Sequence, residues 1–301
     1  MAAIARQDRT RQDYPYLVGE YPTVDFAATL SPDGSYLAFE HRVYTQSSGK
    51  QFADISASVF LVRLADNELV QVGPTLSNDF ITDNIGTGTT ISWSANSQVF
   101  AFAPSSSWLG FEKEKQLYLY DVQSDEFKTL TMTQTSIDNA FELSPDGTQV
   151  AFTDRGIPAL FLINTDGSNQ RMVLEGWVGS NLAWHPDGKR IFFFMEEPEI
   201  GIYNLDVSSG VVTQLTQNNV RPDTLVLSPD GKYLTYYENG LWIVPTAGGE
   251  PLQLASAGTR QWVWSPDSQY IAYVTPATVV FVTDPLRNGT EQIYFDEEWL
   301  P

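Results

Sequence analysis

The sequence has 301 residues, a formal net charge of −20 and no cysteine. The missing thiols exclude disulfides, thiolate catalysis and cysteine-based metal sites. The negative charge repels phosphate backbones and anionic lipids, so we expect neither nucleic acid nor an anionic membrane as a partner. A cationic partner or a divalent cation is compatible with it. Aromatic residues reach 13% and charged residues only 18%, a composition that favours an all-β protein.

The N-terminal segment, residues 1–20, is predicted to lie outside the main domain, which covers residues 21–301. Met1–Gln12 is polar and lacks the apolar core of a signal peptide. We expect a mature periplasmic or extracellular domain, with a cytoplasmic protein as the alternative. No stretch approaches the roughly 18 apolar residues of a membrane span, so no direct membrane span is predicted.

A turn motif recurs six times from residue 31 onward. Three copies read Ser-Pro-Asp-Gly, two differ from it by one residue, and one is degenerate. The copies begin at Ser31, Ser94, Ser144, His185, Ser228 and Ser265. Proline presets φ at the second position, Asp caps its own backbone, and Gly supplies the positive φ of the turn. A spacing of roughly 40 to 50 residues is typical of four-stranded propeller blades, so the repeat predicts six blades.

Two aromatic columns accompany the turns. The residue eight positions after each turn begins is aromatic: Phe39, Phe102, Phe152, Phe193, Tyr236 and Tyr273. The third strand of each unit carries another aromatic residue: Phe60, Tyr118, Phe161, Tyr203, Trp242 and Phe281. A single blade cannot bury both of its faces, so we expect a closed ring of six blades, each with four antiparallel strands.

The third repeat predicts its four strands, A to D, most clearly. We expect them at 139–143, 149–153, 159–164 and 170–174. The outer strand of the sixth blade has two candidates, Tyr14–Val18 from the N-terminal segment and Gln292–Phe295 near the C-terminus. The N-terminal candidate, which would close the ring with a clasp, is slightly preferred.

The repeats resemble the PD40 (WD40-like) repeats of TolB-like propellers. The resemblance rests on Trp264–Asp267 with Ile271–Tyr273, and on Leu117–Asp121 followed by Thr129–Thr131. It extends from about residue 21 to the end of the chain and implies a six-bladed propeller. Because the matching residues are turn and core positions, it implies little about function. The first 20 residues cannot form the α/β domain of TolB, so a Tol–Pal role is not implied.

The irregular loops, which join strand D to strand A and strand B to strand C, are the predicted functional face. The repeated turns lie at the opposite end of each blade and serve as scaffold. Dissimilar polar residues stand five positions before the turns and are predicted to bind a ligand at the mouth of the central channel: Thr89, Asn139, Ser180, Asp223 and Arg260. A hydrated pore entrance is the alternative interpretation of this set.

The B–C loop of the second blade is the predicted partner-docking loop. Trp108, Leu109 and Phe111 stand together there among polar residues. Large apolar residues at a polar loop tip either anchor a partner or fold back over the channel mouth.

No catalytic residue and no metal or cofactor site is predicted. The sequence has no Gly-x-Ser-x-Gly elbow and no phosphate-binding glycine loop. His185 occupies a turn position and is expected to be structural, whereas His41, between Glu40 and Arg42, is a candidate functional residue. One histidine with scattered carboxylates makes a poor zinc site, and calcium is the only cation that we keep as a candidate. The adjacent Glu196 and Glu197 point to opposite faces of a strand and are interpreted as a solvated loop.

Two functions fit these observations. The first is a non-catalytic recognition or scaffold propeller that binds a protein, or a glycan. The alternative is a metal-assisted hydrolase, lactonase or lyase acting in the central channel. Its plausible contributors are Asp25, Asp138, Glu142 and Asp223.

Overall fold

The structure is a computed structural model that describes residues 23–45, 54–77, 90–103, 117–131, 137–154, 157–216, 221–222, 224–256, 258, 261–274, 280–284 and 289–293. These ranges form twenty-four strands and no helix. The strands pair into six antiparallel sheets, each with four strands in sequence order. The chain divides into two compact units, Met1–Met132 and Thr133–Pro301.

The first unit contains two sheets. The strands of its first sheet are β1 (Thr23–Leu30), β2 (Tyr36–Thr45), β3 (Asp54–Arg63) and β4 (Glu68–Ser77). The strands of its second sheet are β5 (Thr90–Trp93), β6 (Val99–Ala103), β7 (Leu117–Asp121) and β8 (Glu126–Leu130). One apolar cluster joins the two sheets, with Ala38, Val59 and Leu61 on the first and Phe100 and Tyr120 on the second.

The second unit contains four sheets. The strands of the third and fourth sheets are β9 (Ile137–Leu143), β10 (Gln149–Asp154), β11 (Ala159–Asn164), β12 (Arg171–Glu175), β13 (Val178–Trp184), β14 (Arg190–Met195), β15 (Gly201–Asp206) and β16 (Val212–Gln214). The strands of the fifth and sixth sheets are β17 (Thr224–Leu227), β18 (Tyr233–Tyr237), β19 (Gly240–Pro245), β20 (Leu252–Ser256), β21 (Gln261–Trp264), β22 (Ile271–Val274), β23 (Val280–Asp284) and β24 (Gly289–Ile293). The fourth strand of the sixth sheet is therefore β24, which overlaps the C-terminal candidate, whereas Tyr14–Val18 lies outside the described residues.

Sheets in the second unit bury both of their faces against neighbouring sheets. In the fourth sheet, Phe193 packs into a cluster with the third sheet, and Phe192 packs into a cluster with the fifth. The fifth sheet likewise contributes Tyr236 to one cluster and Ile243 to the next. Apolar residues on successive positions of these strands are thus all core residues.

The two aromatic columns are one structural feature. Each residue of the first column pairs in register with the residue of the second column on the neighbouring strand. The rings of Phe152 and Phe161, for example, stack with centroids 5.4 Å apart. Such cross-strand aromatic pairs stabilise a sheet and set its register. They explain why both columns recur in every repeat.

The recurring tetrapeptide forms the predicted turn. In the first copy, the backbone N–H of Gly34 donates to the Ser31 carbonyl at 2.8 Å. The Asp33 carboxylate accepts hydrogen bonds from the Ser31 hydroxyl at 2.6 Å and from the Ser35 backbone at 3.0 Å. The degenerate second copy replaces Gly with Ser97, and its hydroxyl accepts a hydrogen bond from the Asp33 N–H at 3.0 Å. That serine therefore ties the turns of the first two sheets together.

Acidification is expected to remove stability that the turn carboxylates provide. Burial raises the pKa of Asp230, but hydrogen bonds from Lys232 and Ser228 outweigh burial and lower the pKa to about 2. An unfolded aspartate titrates near about 3.9, so this contribution is complete above about pH 4 and is lost as the pH falls towards about 2. Urea unfolding at several pH values should show that Asp230→Asn is less stable than the parent at neutral pH. The two proteins should converge in acid.

Lys232→Gln provides the control for this prediction, because it removes the Lys232 Nζ contact with the Asp230 carboxylate at 2.9 Å. The pH dependence of the Asp230→Asn difference should be smaller in that background. A difference between parent and variant that stays constant from neutral to acid pH would contradict the assignment.

Candidate recognition surface

The predicted site residues fall largely outside the described residues. The structure places Asn139 on β9 and Ser180 on β13, the first strands of the third and fourth sheets. Thr89, Asp223 and Arg260 of the predicted channel-mouth set lie outside the described residues, as do Trp108, Leu109 and Phe111 of the predicted docking loop. Both sets stay predictions.

His41 has a carboxylate partner. Asp25 on β1 stands opposite His41 on β2, and its Oδ1 lies 2.7 Å from the imidazole Nδ1. His41 exposes 5% of its side chain, whereas Asp25 exposes 60%. Nε2 of His41 is buried and has no hydrogen-bond partner in the described part of the chain. One imidazole and one carboxylate can exchange a proton with a ligand, but the described residues include no group of three or more His, Asp or Glu side chains that could hold a metal ion.

His185 has the structural role that the sequence predicts. Its Nδ1 contacts Asp187 within its own turn, at 2.8 Å from the carboxylate Oδ1 and 3.2 Å from the backbone nitrogen. Its Nε2 lies 3.0 Å from the carbonyl oxygen of Gly231, in the turn of the fifth sheet. The imidazole thus links two neighbouring turns of the second unit.

The charged residues on or just after the second strands of the sheets differ in their exposure. Glu196 is exposed, and so is Glu197, which confirms the interpretation of that loop as solvated. Glu40 and Arg42 differ from them, because they form an ion pair that is almost completely buried on β2. Asp154 is also buried, and its Oδ1 accepts a hydrogen bond from the Ile157 N–H at 3.1 Å.

Two exposed apolar side chains lie at one end of the third sheet. Ile157 exposes 41% of its surface, and Trp177 exposes 59%. Their loops are tied together, because the Gly176 N–H donates to the Pro158 carbonyl at 2.7 Å. Ile157 stands in the B–C loop and Trp177 in the D–A connection, so both belong to the end of the sheet that carries the irregular loops. We call Ile157 and Trp177 the apolar patch.

Exposed carboxylates stand beside Trp177 of the apolar patch. Glu175 ends β12 directly before it and is exposed. Val178 pairs with Met195, which places the neighbouring Trp177 beside the loop that begins at Glu196. The exposed carboxylates of this region are Glu175, Glu196, Glu197 and Glu199. They give the surface around the patch a negative charge.

Arg221 shows how this end of the second unit holds a cation. Its guanidinium Nη1 lies 2.5 Å from Glu196 Oε1, and its backbone N–H donates to Glu238 Oε1 at 3.0 Å. Arg221 and Glu196 expose 55% and 51% of their side chains, so this arginine is bound at the surface. A second guanidinium or ammonium group on a partner would meet the same kind of carboxylate.

Sequence reasoning missed Trp177, although a signal was present. The residue stands between two glycines, Gly176 and Gly179, in a connection where no strand pattern requires a large side chain. It belongs neither to an aromatic column nor to the position before a turn. A tryptophan without a core position is a candidate for a surface contact.

The comparisons with known proteins identify the fold. No family model matches the chain. An uncharacterised protein of Agrobacterium fabrum is 26% identical over 193 residues, which cover 60% of this chain and 66% of that protein. The uncharacterised protein YidR of Escherichia coli is 36% identical over 112 residues, which cover 34% of this chain and 26% of YidR. The chain thus matches less than two thirds of either relative's length.

Solved structures cover more of the chain. A candidate TolB from Agrobacterium tumefaciens has a TM-score of 0.53 and 20% identity, over 79% of this chain and 88% of that one. A prolyl endopeptidase has a TM-score of 0.60 and 12% identity, over 90% of this chain and 42% of the endopeptidase. Oligogalacturonate lyase from Vibrio parahaemolyticus has a TM-score of 0.59 and 11% identity, over 90% of this chain and 84% of the lyase. This chain is a six-bladed β-propeller.

The propeller fold does not by itself assign an activity. At such identities the likeness concerns the fold, and the similar structures bear the names of a TolB, a peptidase and a lyase. Function has to be argued from the surface of this propeller. Within its described residues, the propeller has no helix long and apolar enough to cross a membrane.

Proposed function

We propose that this propeller is a non-catalytic recognition module that binds a basic protein partner through the apolar patch and its surrounding carboxylates. The observation that carries the proposal is the exposure of Trp177, at 59% of its surface. Tryptophan is enriched among the residues that dominate binding energy at protein interfaces. Burying its ring against a partner would remove apolar surface from water, at about 25 cal/mol per Å².

The charge of the surface supports a basic partner. A lysine or arginine of the partner would pack over the Trp177 ring and reach the carboxylates of Glu196 and Glu197. Cations over a tryptophan face gain about 0.5 to 2 kcal/mol, and long-range attraction to the net charge of the chain accelerates association. The contact between Arg221 and Glu196 is an intramolecular example of this pairing.

The same proposal extends to Trp108, Leu109 and Phe111 in the predicted docking loop, as a second apolar contact. We place the protein in the periplasm or outside the cell, where a recognition propeller would meet a secreted or surface partner. The metal-assisted hydrolase, lactonase or lyase stays the alternative hypothesis.

The test is a comparison of Trp177→Ala with Met172→Ala. Met172 lies on β12 of the same sheet and exposes 53% of its surface, but it is outside the loop end, so it is the matched control. Proteins captured from the native source are identified by mass spectrometry, and the affinity of each variant for the purified partner is then measured. Trp177→Ala should weaken binding about 30-fold, as expected for an interface anchor, without changing the melting temperature.

The partner should be basic, and its Kd should rise with salt, because the contact depends on opposite charges. Equal affinities for Trp177→Ala and Met172→Ala would show that the apolar patch is not the docking site. A captured partner that is acidic and binds independently of salt would contradict the charge argument.

A further inference from the structure

The first unit contains a cavity that the recognition surface does not involve. It measures about 610 Å³ and lies between the repeated turns of the first and second sheets. Ligand sites generally fall in the range of about 300 to 1,000 Å³, so the space suits a small molecule. Its position is unexpected, because the sequence predicts that this end of the sheets is scaffold.

The charged groups of the cavity already have partners. The Arg63 guanidinium contacts the carboxylates of Asp66 and Glu68. The Asp33 carboxylate accepts hydrogen bonds from the Ser31 hydroxyl and the Ser35 N–H, which hold its pKa below the usual value and keep it ionised. Because these charged groups are paired within the protein, the cavity offers no unpaired charge that would attract a ligand of opposite charge.

The remaining side chains of the lining are neutral, and they comprise amide groups, the hydroxyl groups of Ser35 and Ser97, and apolar groups. Gln98 and Gln123 bring exposed amide groups. Gln98 Oε1 accepts a hydrogen bond from Asn96 Nδ2 at 3.2 Å, so Gln98 offers a ligand mainly its N–H donors, whereas Gln123 can both donate and accept. In the described part of the chain, no side-chain hydrogen bond engages the Gln123 amide. Tyr36, Leu64 and Val122 bring half-buried apolar surface to the same cavity.

The aromatic ring of the cavity is held in place from behind. Tyr36 stacks on Trp93 with ring centroids 6.4 Å apart and an angle of 24° between the planes. Trp93 itself is buried in the core that joins the two sheets. Trp93 therefore supports the Tyr36 ring as a fixed apolar wall.

We propose that this cavity binds a neutral carbohydrate. A sugar ring has hydroxyl groups that both donate and accept hydrogen bonds, and it has an apolar C–H face. The two glutamine amides match the first property, and the Tyr36 ring with Leu64 and Val122 matches the second. An uncharged ligand also suits a site whose charged groups are paired within the protein. This inference is independent of the protein-recognition surface in the second unit.

The experiment is saturation-transfer NMR on the full chain with four neutral disaccharides as probes: cellobiose, maltose, lactose and N,N′-diacetylchitobiose. At least one should receive saturation from the protein. The double variant Gln98→Ala/Gln123→Ala should weaken its binding about tenfold, the loss expected for two hydrogen bonds. Both side chains are exposed, so the melting temperature should not change.

Gln269→Ala is the matched control, because Gln269 follows the turn of the sixth sheet at the position that Gln98 has in the second. It should leave disaccharide binding unchanged. Absence of saturation transfer to all four probes would overturn the proposal, as would binding that the double variant leaves intact. Trialanine is measured in parallel, and a peptide that binds through Gln98 and Gln123 where the sugars do not would also overturn it.

Discussion

Arg42→Ala is expected to lower the free energy of unfolding by about 3 to 5 kcal/mol, the cost of breaking a buried ion pair from one side. Arg42 and Glu40 expose only 1% and 2% of their side chains, and the Arg42 Nε donates to Glu40 Oε1. Removing the guanidinium leaves the Glu40 carboxylate in the interior without this counter-charge. Glu40→Ala should cost a similar amount for the converse reason. Urea denaturation measures both, as a lower midpoint at an unchanged m-value.

The double variant Glu40→Leu/Arg42→Met removes both charges but keeps about the same side-chain volume, so it tests the effect of the charges on stability separately from the effect of packing. Replacing both partners with apolar residues of similar volume is often neutral or stabilising, so the double variant should be close to the parent in stability. Arg63→Ala is the control, because Arg63 exposes 46% of its side chain beside Asp66 and its loss should destabilise the protein far less than Arg42→Ala. A loss for Arg42→Ala as small as that for Arg63→Ala would contradict the burial of the pair.

The buried pair also shows where sequence reasoning fails. In a strand with one solvated face, charged residues are expected on the solvent side, but these strands bury both faces. Ala38 and Val59, on the same face as Glu40 and Arg42, are core residues between the first two sheets. No sequence pattern separates Glu40 and Arg42, on the second strand of the first sheet, from Glu196 and Glu197, just after the second strand of the fourth, although only the latter two are exposed.

The repeat made the architecture predictable because it encodes local geometry. The strands expected at 139–143 and 159–164 are found at Ile137–Leu143 and Ala159–Asn164. Each lies beside a turn or an aromatic pair whose chemistry fixes its position. The fold class of the sequence analysis is thereby confirmed.

The candidate site was less predictable because it depends on register and exposure. The contact between His41 and Asp25 requires the pairing of β1 with β2, which includes an irregularity between Phe26 and Thr29. No periodic pattern reveals such a shift. Trp177 could be placed at the surface only once the third and fourth sheets were both known, since each contributes a loop beside it.

Gly231→Ala is expected to lower the free energy of unfolding by about 2 to 4 kcal/mol, from backbone strain and overpacking together. Gly231 has a φ of +73°, and a Cβ at this position would lie 2.5 Å from Nε2 of His185. That nitrogen also lies 3.0 Å from the Gly231 carbonyl oxygen. The methyl group would therefore displace a buried imidazole from its contact with the neighbouring turn.

Gly188→Ala measures the cost of backbone strain without the cost of overpacking. Gly188 stands at the same turn position with a φ of +69°, and a Cβ there would meet nothing within 4 Å. Its substitution should cost only the strain of a left-handed alanine, about 1 kcal/mol. Equal losses for Gly188→Ala and Gly231→Ala in chemical denaturation would show that the imidazole yields without cost.

Measuring Gly231→Ala again in a His185→Ser background completes a double-mutant cycle. Serine is the natural choice, because Ser31, Ser144 and Ser228 occupy this position in other turns. Without the imidazole, the added methyl group at Gly231 loses its closest neighbour. The cost of Gly231→Ala should therefore fall towards that of Gly188→Ala, with a remainder from Pro186, whose Cδ would lie 2.9 Å from the added Cβ. The coupling energy between the two sites then measures the contact with the imidazole. A coupling near zero would mean that His185 and Gly231 stabilise their turns independently, and the imidazole would then not link the fourth and fifth sheets.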